Sequence, residues 1–79
     1  MTKEIDLKVL KLFSNLMDEP IKGLNKNSNP DSIKNWDSLS HVKMIMEIEL
    51  QFNIDLLPDE AMEIFSIDDA IKIITSKQK

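Results

Sequence analysis

Residues 37–52, which read DSLSHVKMIMEIELQF, decide the fold of this 79-residue chain. Asp37 and Ser38 are residue types that cap helix N-termini, and apolar side chains then recur with a helical period up to Phe52. The polar side chains of this segment form only a narrow stripe, which contains Ser40, Lys43, Glu47 and Gln51. We therefore predict a helix, helix II, that lies at the centre of a bundle or offers part of its apolar surface to a partner.

A second helical pattern precedes helix II. Between residues 3 and 17 the apolar side chains share one helical face, which predicts helix I. Residues 18–37 are rich in Asn, Ser, Lys and Pro and have no sustained period, so we expect Pro20 and Gly23 to end the helix in a long loop. Four apolar residues are predicted to pin this loop to the core: Ile21, Leu24, Ile33 and Trp36.

Two shorter patterns follow helix II. Pro58 suits the first turn of a short helix III that covers residues 59–65. Ser66 and Asp69 resemble a capping box that opens helix IV. The predicted fold class is all-α: a small four-helix bundle of three longer helices and one short helix, with a long loop between helices I and II. We expect a single domain over residues 1–79.

Composition excludes several classes of protein. With 42% hydrophobic and 30% charged residues, the chain is expected to be globular, and its formal net charge of −4 disfavours nucleic-acid binding. The sequence has no apolar signal segment and no stretch suited to membrane insertion, which predicts a cytoplasmic protein. We also expect a monomer. The chain contains no cysteine, so any thiol chemistry has to come from an added group. No metal site is expected.

Ser38 stands where the predicted loop meets the N-terminus of helix II. The N–H groups of a first helical turn and the positive end of the helix dipole favour a phosphate on the serine hydroxyl. Exposure at the end of a loop would also let a modifying enzyme reach it. By position alone, however, a simple helix cap is the commoner role of such a serine.

His41 follows Ser38 by one helical turn, and the two side chains could form a nucleophile and base pair. Such a pair lacks an orienting third group and an evident oxyanion hole. We therefore expect a surface histidine and no catalytic residue.

The whole chain resembles the acyl carrier protein family. The stretch WDSLSHV at residues 36–42 is similar to the family's phosphopantetheine attachment motif, in which Asp-Ser-Leu opens helix II. Residues 47–52 resemble the acidic end of that helix, and residues 59–71 match the spacing of helices III and IV. The order of the elements agrees as well: helix, long loop, serine-bearing helix, short helix and last helix.

The resemblance implies a carrier protein without catalytic activity of its own. A phosphopantetheinyl transferase would attach 4'-phosphopantetheine to Ser38, with Asp37 and Leu39 beside it, and Asp37 would help the transferase engage the motif. The arm would carry an acyl or aminoacyl group as a thioester. An acyl- or aminoacyl-loading ligase would supply this cargo, and downstream synthase or transferase enzymes of fatty acid, polyketide or other specialised biosynthesis would receive it.

The resemblance also implies roles for residues of helices II to IV. Partner enzymes would contact Leu39, Lys43, Met46, Glu47 and Glu49. Six apolar residues could open between the helices to shelter an acyl chain: Val42, Ile45, Ile48, Leu56, Ile64 and Ile67. For most of these apolar residues a simple core role is the alternative interpretation.

The sequence departs from the pattern of fatty acid carriers, whose helix II is strongly acidic. Lys43 stands where such carriers usually have an acid, and further acids are replaced by Ser40, Leu50 and Gln51. Because charge complementarity governs partner choice, this favours a dedicated biosynthetic carrier. The sequence Trp-Asp-Ser, with Trp36 directly before Asp37 and Ser38, is more similar to that of specialised carriers. The alternatives are a D-alanyl or peptidyl carrier, or a non-enzymatic adaptor that binds through helix II without an arm.

Overall fold

The computed structural model describes residues 4–78, which form four α-helices, one 3₁₀ turn and no strand. The helices are α1 (Glu4–Met17), α2 (Ser38–Phe52), α3 (Pro58–Met62) and α4 (Ile67–Lys77), and the 3₁₀ turn covers Ile21–Gly23. This order confirms the predicted all-α fold. The predicted start of helix I at residue 3 lies outside the described residues. In the part of the chain that the structure describes, no helix combines the length and apolar character needed to cross a membrane.

The core lies between α1, α2 and α4. Each of these helices turns an apolar stripe inward, and the side chains that are completely buried include Val9, Phe13, Met17, Met44, Ile48, Ile67, Ala70 and Ile74. The face predicted from helical spacing in helix I is the buried one, and α4 also buries a single face. In α2, by contrast, the buried residues lie on one side only, although apolar side chains occur around most of the helix.

The ends of α2 and α4 have clear causes in the sequence. α2 ends at Asn53, which adopts the left-handed conformation (φ 54°, ψ 51°) and donates its N–H to the carbonyl of Glu49. α4 begins after Ser66, whose Oγ accepts a hydrogen bond from the N–H of Asp69 at 3.1 Å. The carboxylate of Asp69 in turn accepts from the N–H of Phe65 at 3.0 Å. The predicted pairing of Ser66 with Asp69 is confirmed, with Phe65 as the returning donor.

The predicted extent of helix III, residues 59–65, is too long at its C-terminal end. α3 ends at Met62, after which backbone N–H groups bond to carbonyls three residues back and the chain leaves the α-helix. Phe65 cannot remain helical because its N–H is bonded to Asp69 in the cap of α4. The cap of α4 therefore keeps Phe65 out of α3.

The loop between α1 and α2 is a series of short turns held by Asn and Ser side chains. Asn25 Oδ1 accepts from the N–H of Asn27 at 2.8 Å, and Asn29 Oδ1 accepts from the N–H of Asp31 at 2.9 Å. Ser32 Oγ accepts from the N–H of Asn29 at 2.9 Å. These side chains replace the backbone hydrogen bonds that a helix or strand would provide.

Two residues of the loop bond to the first turn of α4. The N–H of Asp68 donates to the carbonyl of Lys26 at 2.9 Å, and the N–H of Ile67 donates to the carbonyl of Ser28 at 3.1 Å. Lys26 also reaches α1, where its Nζ lies 3.4 Å from Oδ2 of the buried Asp6. The loop is therefore fastened to both α1 and α4 well before it reaches α2.

Three of the four predicted loop anchors are confirmed, since Leu24, Ile33 and Trp36 are buried. The ring of Trp36 packs against Phe13 of α1, with the two ring centroids 5.1 Å apart. The prediction for Ile21 is wrong, because this residue is 39% exposed. It opens the 3₁₀ turn, whose three residues all lie at the surface.

The contrast between Ile33 and Ile21 makes a testable prediction. Ile33→Ala should lower the free energy of unfolding by about 2–5 kcal/mol, because it leaves a cavity in the core. Ile21→Ala, the matched control, should change it by less than about 0.5 kcal/mol. Denaturant unfolding of both variants measures the two values. Equal losses would contradict the assignment of Ile33 as the loop anchor.

Candidate functional site

Ser38 is the first residue of α2, and it is exposed. The residue before it, Asp37, is extended (φ −115°, ψ −173°) and accepts a hydrogen bond from the N–H of Ser40 at 2.9 Å through Oδ1. The carbonyl of Asp37 accepts from the N–H of His41 at 2.8 Å. Asp37 is thus the N-cap of α2, and it fixes the hydroxyl-bearing residue at the positive end of the helix.

The electrostatics of this helix end favour negative charge. The backbone N–H of Ser40 is the main cause that lowers the pKa of the Asp37 carboxyl below its ordinary value. Desolvation opposes this shift, and the Ser40 hydroxyl and the backbone N–H of Leu39 reinforce it. The same alignment of N–H groups that stabilises the carboxylate also provides a favourable environment for an anion on Ser38.

His41 is half-buried and hydrogen-bonded through both ring nitrogens, so the prediction of a surface histidine is wrong. Nδ1 lies 3.0 Å from Nε1 of Trp36, and Nε2 lies 2.9 Å from the carbonyl oxygen of Ala61 in α3. The imidazole and indole planes are inclined by only 18°. The imidazole therefore has a structural role under Ser38.

A surface groove of about 490 Å³ runs beside Ser38, between the start of α2 and the end of α3. The side chains that border it include Trp36, Asp37, Ser38, His41, Met62 and Phe65. Met62 and Phe65 are large apolar residues that remain mostly exposed. Sequence analysis did not assign Phe65 to a site, since it lies in a linker that carries no motif.

The outer side of α2 carries an exposed apolar stripe, which consists of Leu39, Val42, Met46 and Leu50. These residues are 65%, 56%, 56% and 76% exposed, so they lie on the side opposite to the core. Lys43 and Glu47 are exposed on the same helix. Four of the five predicted partner contacts, which are Leu39, Lys43, Met46 and Glu47, are thus accessible to a partner.

The fifth predicted partner contact, Glu49, is half-buried and already bonded within the chain. Its Oε2 accepts a hydrogen bond from the N–H of Leu56 at 3.0 Å, which ties α2 to the segment before α3. The carboxylate therefore has a structural partner, which a half-buried charge requires.

The six predicted pocket residues do not share one environment. Ile48, Ile64 and Ile67 are almost completely buried in the core cluster, and Ile45 and Leu56 pack against it half-buried. Val42 is exposed, so its predicted place in the interior is wrong. The error arises because apolar residues occupy most of the circumference of α2, and the period alone does not give the buried side.

The lowered pKa of Asp37 predicts a pH dependence. A carboxylate whose pKa is lower in the folded state than in the unfolded state stabilises the fold at pH values above the unfolded-state pKa. This stabilisation is lost as the pH falls through the folded-state pKa. Asp37→Asn keeps the capping acceptor but removes the charge. The stability of the wild type relative to Asp37→Asn should therefore decrease between about pH 7 and about pH 2. Denaturant unfolding at each pH measures it, and a constant difference would contradict the capping charge.

No protein-family model matches the chain. Named relatives do match it, and each match spans 77 residues, or 98% of this chain. An acyl carrier protein of Picosynechococcus sp. is 31% identical, and the match covers 95% of that protein. Acyl carrier proteins of Rickettsia massiliae and Rickettsia prowazekii are each 30% identical, with 90% of those proteins covered. Because these relatives match over nearly their whole length, the chain belongs to the acyl carrier protein family.

Proposed function

We propose that this protein carries 4'-phosphopantetheine on Ser38 and presents an acyl or aminoacyl group to biosynthetic enzymes. The observation that carries the proposal is the exposed Ser38 at the first position of α2, within an Asp-Ser-Leu sequence, in a chain of the acyl carrier protein family. In this role the protein is a single-domain, monomeric and cytoplasmic substrate of other enzymes, and it catalyses no reaction itself.

The residues at the start of α2 fit a phosphodiester. The hydroxyl of Ser38 is accessible to a modifying enzyme, and the first-turn N–H groups and the helix dipole favour the negative charge of a phosphate there. Asp37 holds the helix start in place through the N–H of Ser40. The groove beside Ser38 offers the apolar side chains of Met62 and Phe65 to an attached group.

The chemistry that such a group supplies when bound is a thiol, which the cysteine-free sequence lacks and which can hold cargo as a thioester. The chain's own residues have three tasks. Asp37 fixes the position of the attachment point, Ser38 provides the hydroxyl, and the outer side of α2 offers a surface to partner enzymes. None of these tasks needs a catalytic side chain.

The apolar stripe on α2 supports a dedicated carrier over a general fatty acid carrier. Four exposed apolar residues line this face, while Lys43 and Glu47 beside them carry opposite charges. A face of this kind binds a phosphopantetheinyl transferase, a loading ligase or a downstream synthase mainly by apolar contact, with little net charge attraction. A D-alanyl or peptidyl carrier is the second candidate, favoured by the Trp36 that directly precedes Asp37 and Ser38.

The attachment site can be tested by mass spectrometry. A broad-specificity phosphopantetheinyl transferase with coenzyme A and magnesium should add one phosphopantetheine mass to the wild type and none to Ser38→Ala. Ser40→Ala, two residues further into α2, is the matched control and should be modified like the wild type. Intact mass of each protein gives the result directly.

Two outcomes would contradict the proposal. If several transferases leave the wild type unmodified, the carrier function is refuted. If Ser38→Ala retains function in the native host while Leu39→Ala or Met46→Ala loses it, the chain is an adaptor that binds partners through α2 without an arm.

The partner face makes a second prediction. Met46→Gln should raise the KM for modification of Ser38 by the transferase about three- to tenfold, because less apolar surface is buried on docking. The kcat should change little, since Met46 lies two turns from Ser38. Ile21→Gln, which makes a similar change at an exposed apolar residue outside α2, should leave the KM unchanged. Steady-state kinetics distinguish the two variants, and an equal effect of both would argue against docking on α2.

A further inference from the structure

The imidazole of His41 connects three parts of the fold. An indole N–H can only donate, so Nδ1 of His41 accepts the hydrogen bond from Trp36. The ring proton of the neutral imidazole therefore lies on Nε2, which donates to the carbonyl oxygen of Ala61. Through this one side chain, the end of the loop, the first turn of α2 and the backbone of α3 are joined.

This connection matters because α3 is the least anchored helix. All five of its residues are exposed or half-buried, whereas α1, α2 and α4 each bury several side chains. Apart from the bond to His41, α3 is held by an ion pair between Glu60 and Lys77 of α4, with Oε1 and Nζ 2.8 Å apart. Loss of His41 would free the part of α3 that borders the groove beside Ser38.

Behind the connection lie the apolar residues that were candidates for a cargo pocket. Ile48, Ile64 and Ile67 are packed almost without exposure in the same core cluster. Added methylene groups in a close-packed core are destabilising, so a long acyl chain could enter only if α2 and α3 moved apart. The groove beside Ser38, by contrast, is already open at the surface.

We propose that His41 is a specificity-determining residue that holds α3 against α2 and so confines cargo to the surface groove. This inference rests on the proposed function, since it concerns cargo carried on Ser38. The cargo class that fits is a short acyl or aminoacyl group, which can lie beside Met62 and Phe65. Long hydrocarbon chains, which need the interior to be shielded from water, are excluded while the connection is intact.

Cargo length provides the first test. Wild type, His41→Ala and Trp36→Phe are loaded through the arm on Ser38 with an acetyl or an octanoyl group, and their melting temperatures are compared. Trp36→Phe removes the indole donor together with part of the ring volume, and it keeps an aromatic ring in the core. Ile74→Val, which trims the core in α4, is the matched control for lost stability.

We expect the octanoyl group to raise the melting temperature of wild type and Ile74→Val by less than about 1 °C relative to acetyl. In His41→Ala and Trp36→Phe it should raise the melting temperature by about 4 °C or more, because the freed space admits the chain. If octanoyl stabilises the wild type to that extent, or stabilises neither variant, the inference is overturned.

A second test uses the unmodified protein, which needs no arm on Ser38. A failure to attach the arm, measured by intact mass, is therefore distinguishable from a failure of this inference. The amides of Ala61 and Ile64 should exchange hydrogen about tenfold faster in His41→Ala than in Ile74→Val. The amides of α1 should exchange at similar rates in both. Equal exchange at Ala61 and Ile64 in the two variants would overturn the inference, whatever group Ser38 carries.

Discussion

The indole of Trp36 is buried against Phe13, only two residues before the exposed hydroxyl of Ser38, and the start of α2 depends on this anchor. Burial of an aromatic side chain removes about 150–250 Å² from water, which is enough to fix the end of a long loop. With Trp36 inside the core, Asp37 becomes the extended residue that caps α2. Burial of Trp36 therefore positions Ser38, two residues further along, at the surface.

α2 has apolar side chains both on its core-facing side and on its exposed side. Met44 and Ile48 fill the core, while Leu39 and Met46 face away from it. A sequence in which apolar residues surround a helix predicts the helix well but leaves its rotation undetermined, because the period has no clear polar side. The rotation is set by the core cluster, which α2 contacts on one side only. This explains why the helix bounds were predictable while Val42 was assigned to the wrong side.

Features that follow from a regular local pattern, such as α1 and the cap of α4, were predicted, whereas the hydrogen bonds between residues far apart in the chain were not. α1 and α4 have one apolar face each, and the cap at Ser66 follows from residue types three positions apart. The bond between His41 and Ala61 joins residues twenty positions apart, so it depends on where α3 lies in space. The turns of the loop follow from Asn and Ser side chains whose bonds are local, but composition alone does not select one turn geometry.

The ion pair between Glu60 and Lys77 has a practical consequence at the C-terminal end of α4. Gln78 adds to it by donating from Nε2 to the carbonyl of Phe52 at 3.2 Å, so the last turn of α4 is fastened to both α3 and α2. An affinity tag or a fused enzyme joined immediately after this turn would put tension on the contacts between α4 and α3, the helix that borders the groove. A flexible spacer of Gly and Ser residues placed before such a fusion would relieve that tension, and immobilised preparations of the carrier should include one.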